Sequence, residues 1–233
     1  MHELSVIIPT LNEQPNVRRI YAILLKALER QGLADFEVLY VDDQSADGTQ
    51  DRVRELGRED PRAKLVINPE RRGLGAALWH GVERSSGKFV LFLDCDCSVT
   101  GDDLTRLIAA REVGTMLVGS RYIKGSRIYG APRLKVELSR ALNFLASLIF
   151  RFPIVDLSHS LRIFERLPQT APQTLTHPGF FWELSLFYRR VGRLKEIPIS
   201  FYERELGFTK NRSLRMVKSI LSAAKRLIRE EFA

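Results

Sequence analysis

Apolar residues follow two alternating rhythms through the first half of the chain. Unbroken runs at 4–8, 36–41, 64–67, 89–93 and 116–118 read as strands, because apolar positions without alternation suit strands buried on both faces. Between them, residues 16–30, 47–58, 73–84 and 102–111 carry apolar positions at helical spacing. This alternation predicts an open α/β domain of three layers with a mostly parallel sheet. Ligands of such sheets sit beyond the carboxyl ends of the strands. The polar clusters Asn12-Glu13, Asp42-Asp43 and Asp94-Cys95-Asp96 each follow a strand directly, so three acidic clusters converge on one edge.

From about residue 133 the rhythm changes. Leu134, Leu138, Leu142, Leu145 and Leu148 form a helical stripe that stops at Pro153, and a mixed stretch follows to Pro198. A closing helix is expected over 213–230, with Leu214, Val217, Ile220 and Leu221 on one face and Arg215, Lys218, Lys225, Arg226 and Arg229 on the other.

Composition narrows the class. The 233 residues are 45% apolar and 27% charged, enough for a sizeable core and against disorder over most of the length. A formal charge of +8 suggests an anionic partner without identifying it. The basic residues are not interleaved with aromatics for base stacking, so no nucleic acid is expected. Cys95 and Cys97 stand too close for an easy disulfide, which makes a reducing compartment the default. Without a signal-peptide pattern or an 18-residue apolar run, the reading is a soluble or membrane-peripheral protein.

Two carboxylates one residue apart at the end of a buried strand repel each other unless something neutralises them. At Asp94 and Asp96 a divalent cation would do so, and oxygen ligands of this kind suit Mg²⁺ or Mn²⁺ shared with substrate phosphates. The alternative is that both acids simply end a strand and cap the next helix. Asp47-Gly48-Thr49 has turn and helix-cap chemistry that needs no function. Asp42 and Asp43 could accept hydrogen bonds from a ribose or a base. Gly73-Leu74-Gly75 begins like a dinucleotide fingerprint but lacks its third glycine and stands five residues from the strand.

The ordered set Ile8-Pro9-Thr10-Leu11-Asn12-Glu13, Val41-Asp42-Asp43-Gln44-Ser45, Arg72-Gly73-Leu74-Gly75, Leu93-Asp94-Cys95-Asp96 and Gly119-Ser120-Arg121-Tyr122 resembles the inverting family-2 glycosyltransferases. Within them it is most similar to dolichol- or polyprenol-phosphate mannose synthases, and Glu196-Ile197-Pro198, Arg204, Gly207 and Lys210 continue the likeness. The resemblance implies the nucleotide-sugar-binding glycosyltransferase A fold, a Rossmann-like sheet flanked by helices. It implies a glycosyltransferase domain over 1–210, with a nucleotide-binding half to about 122 and an acceptor half beyond, and 211–233 as an amphipathic helix. Pro9, Leu11, Glu13, Val41 and Asp43 would line the base and ribose pocket. Asp94 and Asp96 would hold the metal on the diphosphate, with the Cys95 backbone beside the nucleotide. Arg121, Arg204 and Lys210 would meet phosphates, with Arg133 as a further candidate.

The implied reaction is metal-dependent, inverting transfer of a hexose, mannose from GDP-mannose, to a polyprenyl phosphate at the cytoplasmic face of a membrane. A UDP-sugar, a non-lipid acceptor or a catalytically silent nucleotide-sugar binder are the alternatives. The chain departs from the family at Leu11, where tyrosine is usual, and over Ser98-Val99-Thr100-Gly101-Asp102, where Gln-His-Pro-Pro-Glu is usual; Ser98 replaces a metal-ligating glutamine, and Asp102 or Asp103 could stand in for the glutamate. Asp156-Leu157-Ser158-His159-Ser160-Leu161-Arg162 replaces the usual Asp-x-Thr-Ser-Gly-Phe-Arg. Were the acceptor a sugar hydroxyl, Asp156 or Glu183 would be the candidate base. The oligomeric state is left open.

Overall fold

The computed structural model describes residues 2–71, 73–166 and 179–203. Strands β1 (Leu4–Thr10), β2 (Phe36–Asp42), β3 (Ala63–Ile67) and β4 (Phe89–Phe92) alternate with helices α1 (Val17–Glu29), α2 (Thr49–Glu59) and α3 (Leu74–Arg84). Then come α4 (Gly101–Ala109), β5 (Thr115–Ser120), β6 (Arg127–Tyr129) and α5 (Arg133–Ile149). The described chain closes with β7 (Arg162–Glu165), α6 (Gly179–Val191), β8 (Arg193–Pro198) and β9 (Ser200–Tyr202).

Seven strands form one sheet in the order β3-β2-β1-β4-β7-β5-β8, while β6 and β9 pair separately in parallel. Within the large sheet β7 runs antiparallel to β4 and β5 and every other pairing is parallel. The stretches on either side of residue 122 thus share a single sheet. Because β2 lies on one side of β1 and β4 on the other, the strand order reverses at β1, and a crevice opens at the carboxyl ends of β1 and β4.

The strand runs are apolar throughout because both faces are covered. On one face Val6 and Ile8 pack with Ile20 and Leu24 of α1 and with Leu104 and Leu107 of α4. On the other, Ile7, Val41 and Phe92 pack with Leu78 and Val82 of α3 and Phe180 and Leu184 of α6. The expected three layers are present. A Cβ on Gly81 would stand 2.5 Å from Ile7 Cγ2, so glycine lets α3 lie directly on β1.

Helix α5 departs from this pattern. It turns Asn143, Ala146 and Ser147 inward, while Leu134, Leu138, Phe144, Leu145, Leu148 and Ile149 are exposed. A helix that merely packs on the core does the reverse. Among the described residues no helix is long and apolar enough to cross a membrane.

Candidate active site

Three loops bound the crevice, and each contains a non-glycine residue in the left-handed region. These are Asn12 after β1 (φ 54°), Gln44 after β2 (φ 65°) and Cys97 after β4 (φ 56°). Such backbone costs of order 1–3 kcal/mol per residue and must be held by its surroundings. Asn12 donates its N–H to Ser45 Oγ (2.8 Å) and accepts from the Ala46 N–H at Oδ1 (2.9 Å), stitching the first loop to the second. Gln44 Nε2 donates to the Asn68 carbonyl at 2.5 Å.

The structure separates the adjacent acids Asp42 and Asp43. Asp42 is fully buried and accepts from Thr10 Oγ1, the Ser45 N–H, Ser45 Oγ and Gln50 Nε2. It builds the turn, so a role for Asp42 toward ribose or base is set aside. Asp43 accepts from Asn68 Nδ2 and from the Gly73 N–H, both at 3.1 Å. Gly73 (φ 91°) thereby ties the start of α3 to the crevice, a purpose unrelated to a dinucleotide fingerprint. Pro9 lies beside Val41 in the β1–β2 register. The Val41 side chain is completely buried in the core, so only its backbone can meet a ligand. Glu13 is buried, accepting from Asn16 Nδ2 and donating its N–H to Thr49 Oγ1. Leu11 is partly exposed in the same loop.

Asp94 and Asp96, both partly exposed, follow β4 on either side of buried Cys95, whose thiol burial pushes up. Asp94 accepts from Ser160 Oγ, and Asp96 Oδ1 accepts from the Ser98 N–H at 3.1 Å. The two acids expected to stand in for the usual glutamate are committed elsewhere. Asp103 is buried in a capping box with Thr100 and also binds Arg106 and the Ser200 N–H. Asp102 pairs with Arg30 on the surface. Among the described residues no cluster of three acidic, histidine or cysteine side chains is poised for a metal. Two carboxylates fit a hard cation that takes its remaining oxygens from water and a diphosphate.

Arg121 follows β5, and its guanidinium grips buried Asp156 side-on through Nε (2.8 Å) and Nη2 (2.9 Å), with Nη2 also donating to Ser158 Oγ. It lies within electrostatic reach of Asp94, between the rings of Tyr122 and Phe201. Among the described residues Nη1 has no partner, which leaves it for an anion. Asp156 is therefore not a general base. Despite the cost of burial, Arg121 holds it at about 2. The loop carrying it is strapped by Glu196, which accepts the Val155 and Asp156 N–H groups, and by Asn143 of α5, which accepts the Leu157 N–H. Arg162, fully buried, donates to the Leu157, His159 and Phe181 carbonyls and to Ser185 Oγ. Burial draws it down to about 9, and it stays a cation at neutral pH. Glu183 sits on α6.

His159 is buried, its ring bonded to the Gly119 backbone and its Nδ1 without a partner among the described residues. Burial first, and then Arg121, pull it down to about 3 from 6.5. Its neutral form contributes stability that is complete above about pH 6.5 and drains as pH falls toward 3, since the unfolded chain binds a proton the fold refuses. The contribution of Asp156 follows below its ordinary 3.8, toward 2. His159→Gln should flatten the fall in urea-unfolding midpoint between pH 6.5 and 4. An unchanged slope would remove His159 from acid unfolding.

Arg72, Arg204, Gly207, Lys210 and the helix expected over 213–230 lie outside the described residues. The described chain stops close by, where the Tyr202 N–H donates to the Ser98 carbonyl at 2.8 Å.

Residues 5–168 match the family described as glycosyl transferase family 2. Polyprenol monophosphomannose synthase of Mycolicibacterium smegmatis is 31% identical over 215 residues, covering 88% of this chain and 79% of that relative. Dolichol-phosphate mannosyltransferase of Pyrococcus furiosus is 32% identical over 139 residues, 59% of this chain and 38% of the relative. Among solved structures, mannosyl-3-phosphoglycerate synthase from Rubrobacter xylanophilus matches with a TM-score of 0.67 at 20% identity, over 99% of this chain and 75% of that one. Glucosyl-3-phosphoglycerate synthase from Mycobacterium tuberculosis, in complex with Mn²⁺, uridine diphosphate and phosphoglyceric acid, matches at 0.64 and 21% identity, over 95% and 78% of the two chains. At these identities the solved structures speak for the fold alone.

Proposed function

The chain belongs to glycosyltransferase family 2 and is a glycosyltransferase, and we propose that it transfers mannose from GDP-mannose to a polyprenyl phosphate, with inversion, at the cytoplasmic face of a membrane. The observation that carries this reading is the carboxylate pair Asp94 and Asp96 at the β1–β4 crevice, with Arg121 in electrostatic reach of Asp94. A relative named as a polyprenol monophosphomannose synthase supports the acceptor. The uncovered leucines of α5 support a lipid surface.

Asp94 and Asp96 would hold Mg²⁺ or Mn²⁺, which when bound supplies Lewis-acid stabilisation of the leaving diphosphate. Asp43, Glu13 and the backbone of Val41 and Cys95 would hold ribose and base. Arg121 would donate from Nη1 to a phosphate oxygen, held in place by Asp156, while Arg204 and Lys210 would supply further positive charge. An acceptor phosphate is already ionised at pH 7, so its oxygen can attack the anomeric carbon from the face opposite the diphosphate without a general base. That agrees with Asp156 being committed to Arg121.

The test is a panel of GDP- and UDP-sugars with Mg²⁺ or Mn²⁺, offered polyprenyl phosphate or 3-phosphoglycerate. Lipid-linked mannose from GDP-mannose is the expected product. Transfer only to the soluble acceptor would overturn the lipid reading, and transfer only from UDP-sugars the donor.

A further inference from the structure

We infer that Ser160 is a positioning residue for Asp94, fixing how that carboxylate faces the divalent cation; the inference rests on the reading of Asp94 and Asp96 as the metal pair. Ser160 is buried, 6% exposed, and donates its hydroxyl hydrogen to Asp94 Oδ2. A carboxylate on a short side chain turns about its last bond. A donor fixed on one oxygen sets the plane of the group and presents the other oxygen in a defined direction.

The donor itself is well held. Immediately beyond it, the Leu161 carbonyl accepts the Gly119 N–H at 3.0 Å, and Arg162 clamps the Leu157 and His159 carbonyls. At the other end of the same loop Asp156 grips Arg121, and Glu196 holds the Val155 and Asp156 N–H groups. Five residues, 156–160, therefore fix both Arg121 and Asp94. The cation site and the proposed phosphate arginine share this loop, but the Ser160 hydroxyl bonds Asp94 and takes no part in the Arg121–Asp156 bonds, so its removal acts on the cation first.

The experiment titrates Mn²⁺ into the full chain with GDP present and no acceptor, reading free Mn²⁺ by electron paramagnetic resonance. Ser160→Ala should weaken Mn²⁺ binding about tenfold or more, the usual scale for losing a partner of a metal ligand. Ser160→Thr, which keeps the hydroxyl, should stay within about threefold of the parent. In turnover, Ser160→Ala should raise the Mn²⁺ concentration needed for half-maximal rate while kcat at saturating Mn²⁺ changes little, a split that a general loss of structure would not give. Should Ser160→Ala fail to fold, Ser160→Gly takes its place with the same outcomes. Parent-like Mn²⁺ affinity in the hydroxyl-free variant, or equal losses in the Ala and Thr variants, would overturn the inference alone. A parent chain that binds no Mn²⁺ would overturn the metal reading with it.

Discussion

Asp96→Asn is expected to lower sugar transfer by about a hundredfold or more while the protein stays folded. The substitution keeps the shape of the side chain and an oxygen that can still accept the Ser98 N–H. It removes the negative charge that, with Asp94, would hold a cation against a leaving diphosphate. Electrostatic stabilisation of that kind is worth several kcal/mol, and each ~1.4 kcal/mol is a factor of ten in rate. Asp103→Asn is the informative contrast. That acid is buried among Thr100, Arg106 and the Ser200 N–H, so its loss should lower the unfolding midpoint, with metal dependence unchanged. Initial rates across a Mn²⁺ series, beside thermal unfolding of both variants, separate the two roles. Asp96→Asn retaining more than about a tenth of parental activity, or full activity of the parent in excess chelator, would remove the cation from the mechanism.

These two aspartates show what the sequence made legible and where it stopped. The doubly buried strands were readable because their apolar runs lack alternation, and the order of loops on the sheet edge followed from them. β7 was not readable, since a four-residue strand beginning with a fully buried arginine has no apolar period to detect. Residue type alone could not divide Asp42 from Asp43, because the difference is which one the Ser45 turn consumes. The Thr100-x-x-Asp103 spacing is a capping signature, and the expectation that Asp103 could serve the site passed over it. Nothing in the pattern announced the left-handed Asn12, Gln44 and Cys97, or the reach of Ser160 to Asp94, since both depend on contacts between distant loops. The apolar stripe of α5 was plain; which way it faces was not.

That orientation supports the second large effect, on lipid binding. Leu134, Leu145 and Leu148 are 82%, 52% and 64% exposed, and Arg133, Arg140 and Arg151 lie exposed on and just beyond the same helix. Apolar side chains rimmed by cations suit an anionic bilayer surface. The inner side of α5 reaches the site, through Asn143 to the Leu157 N–H and Ser139 to the Tyr122 hydroxyl, so a lipid under α5 would stand close to the proposed phosphate arginine. The chain should float with anionic vesicles at low salt and release at about 1 M, where the screening length shrinks to roughly 3 Å. Replacing Leu134, Leu145 and Leu148 together with serine removes apolar surface worth about 1.5 kcal/mol or more for each side chain that enters the bilayer. Vesicle binding should then fall by about a hundredfold or more. Stability should hardly change, because these side chains already face water. If the parent ignores anionic vesicles at low salt even with donor and Mn²⁺ present, the polyprenyl acceptor gives way to a soluble one.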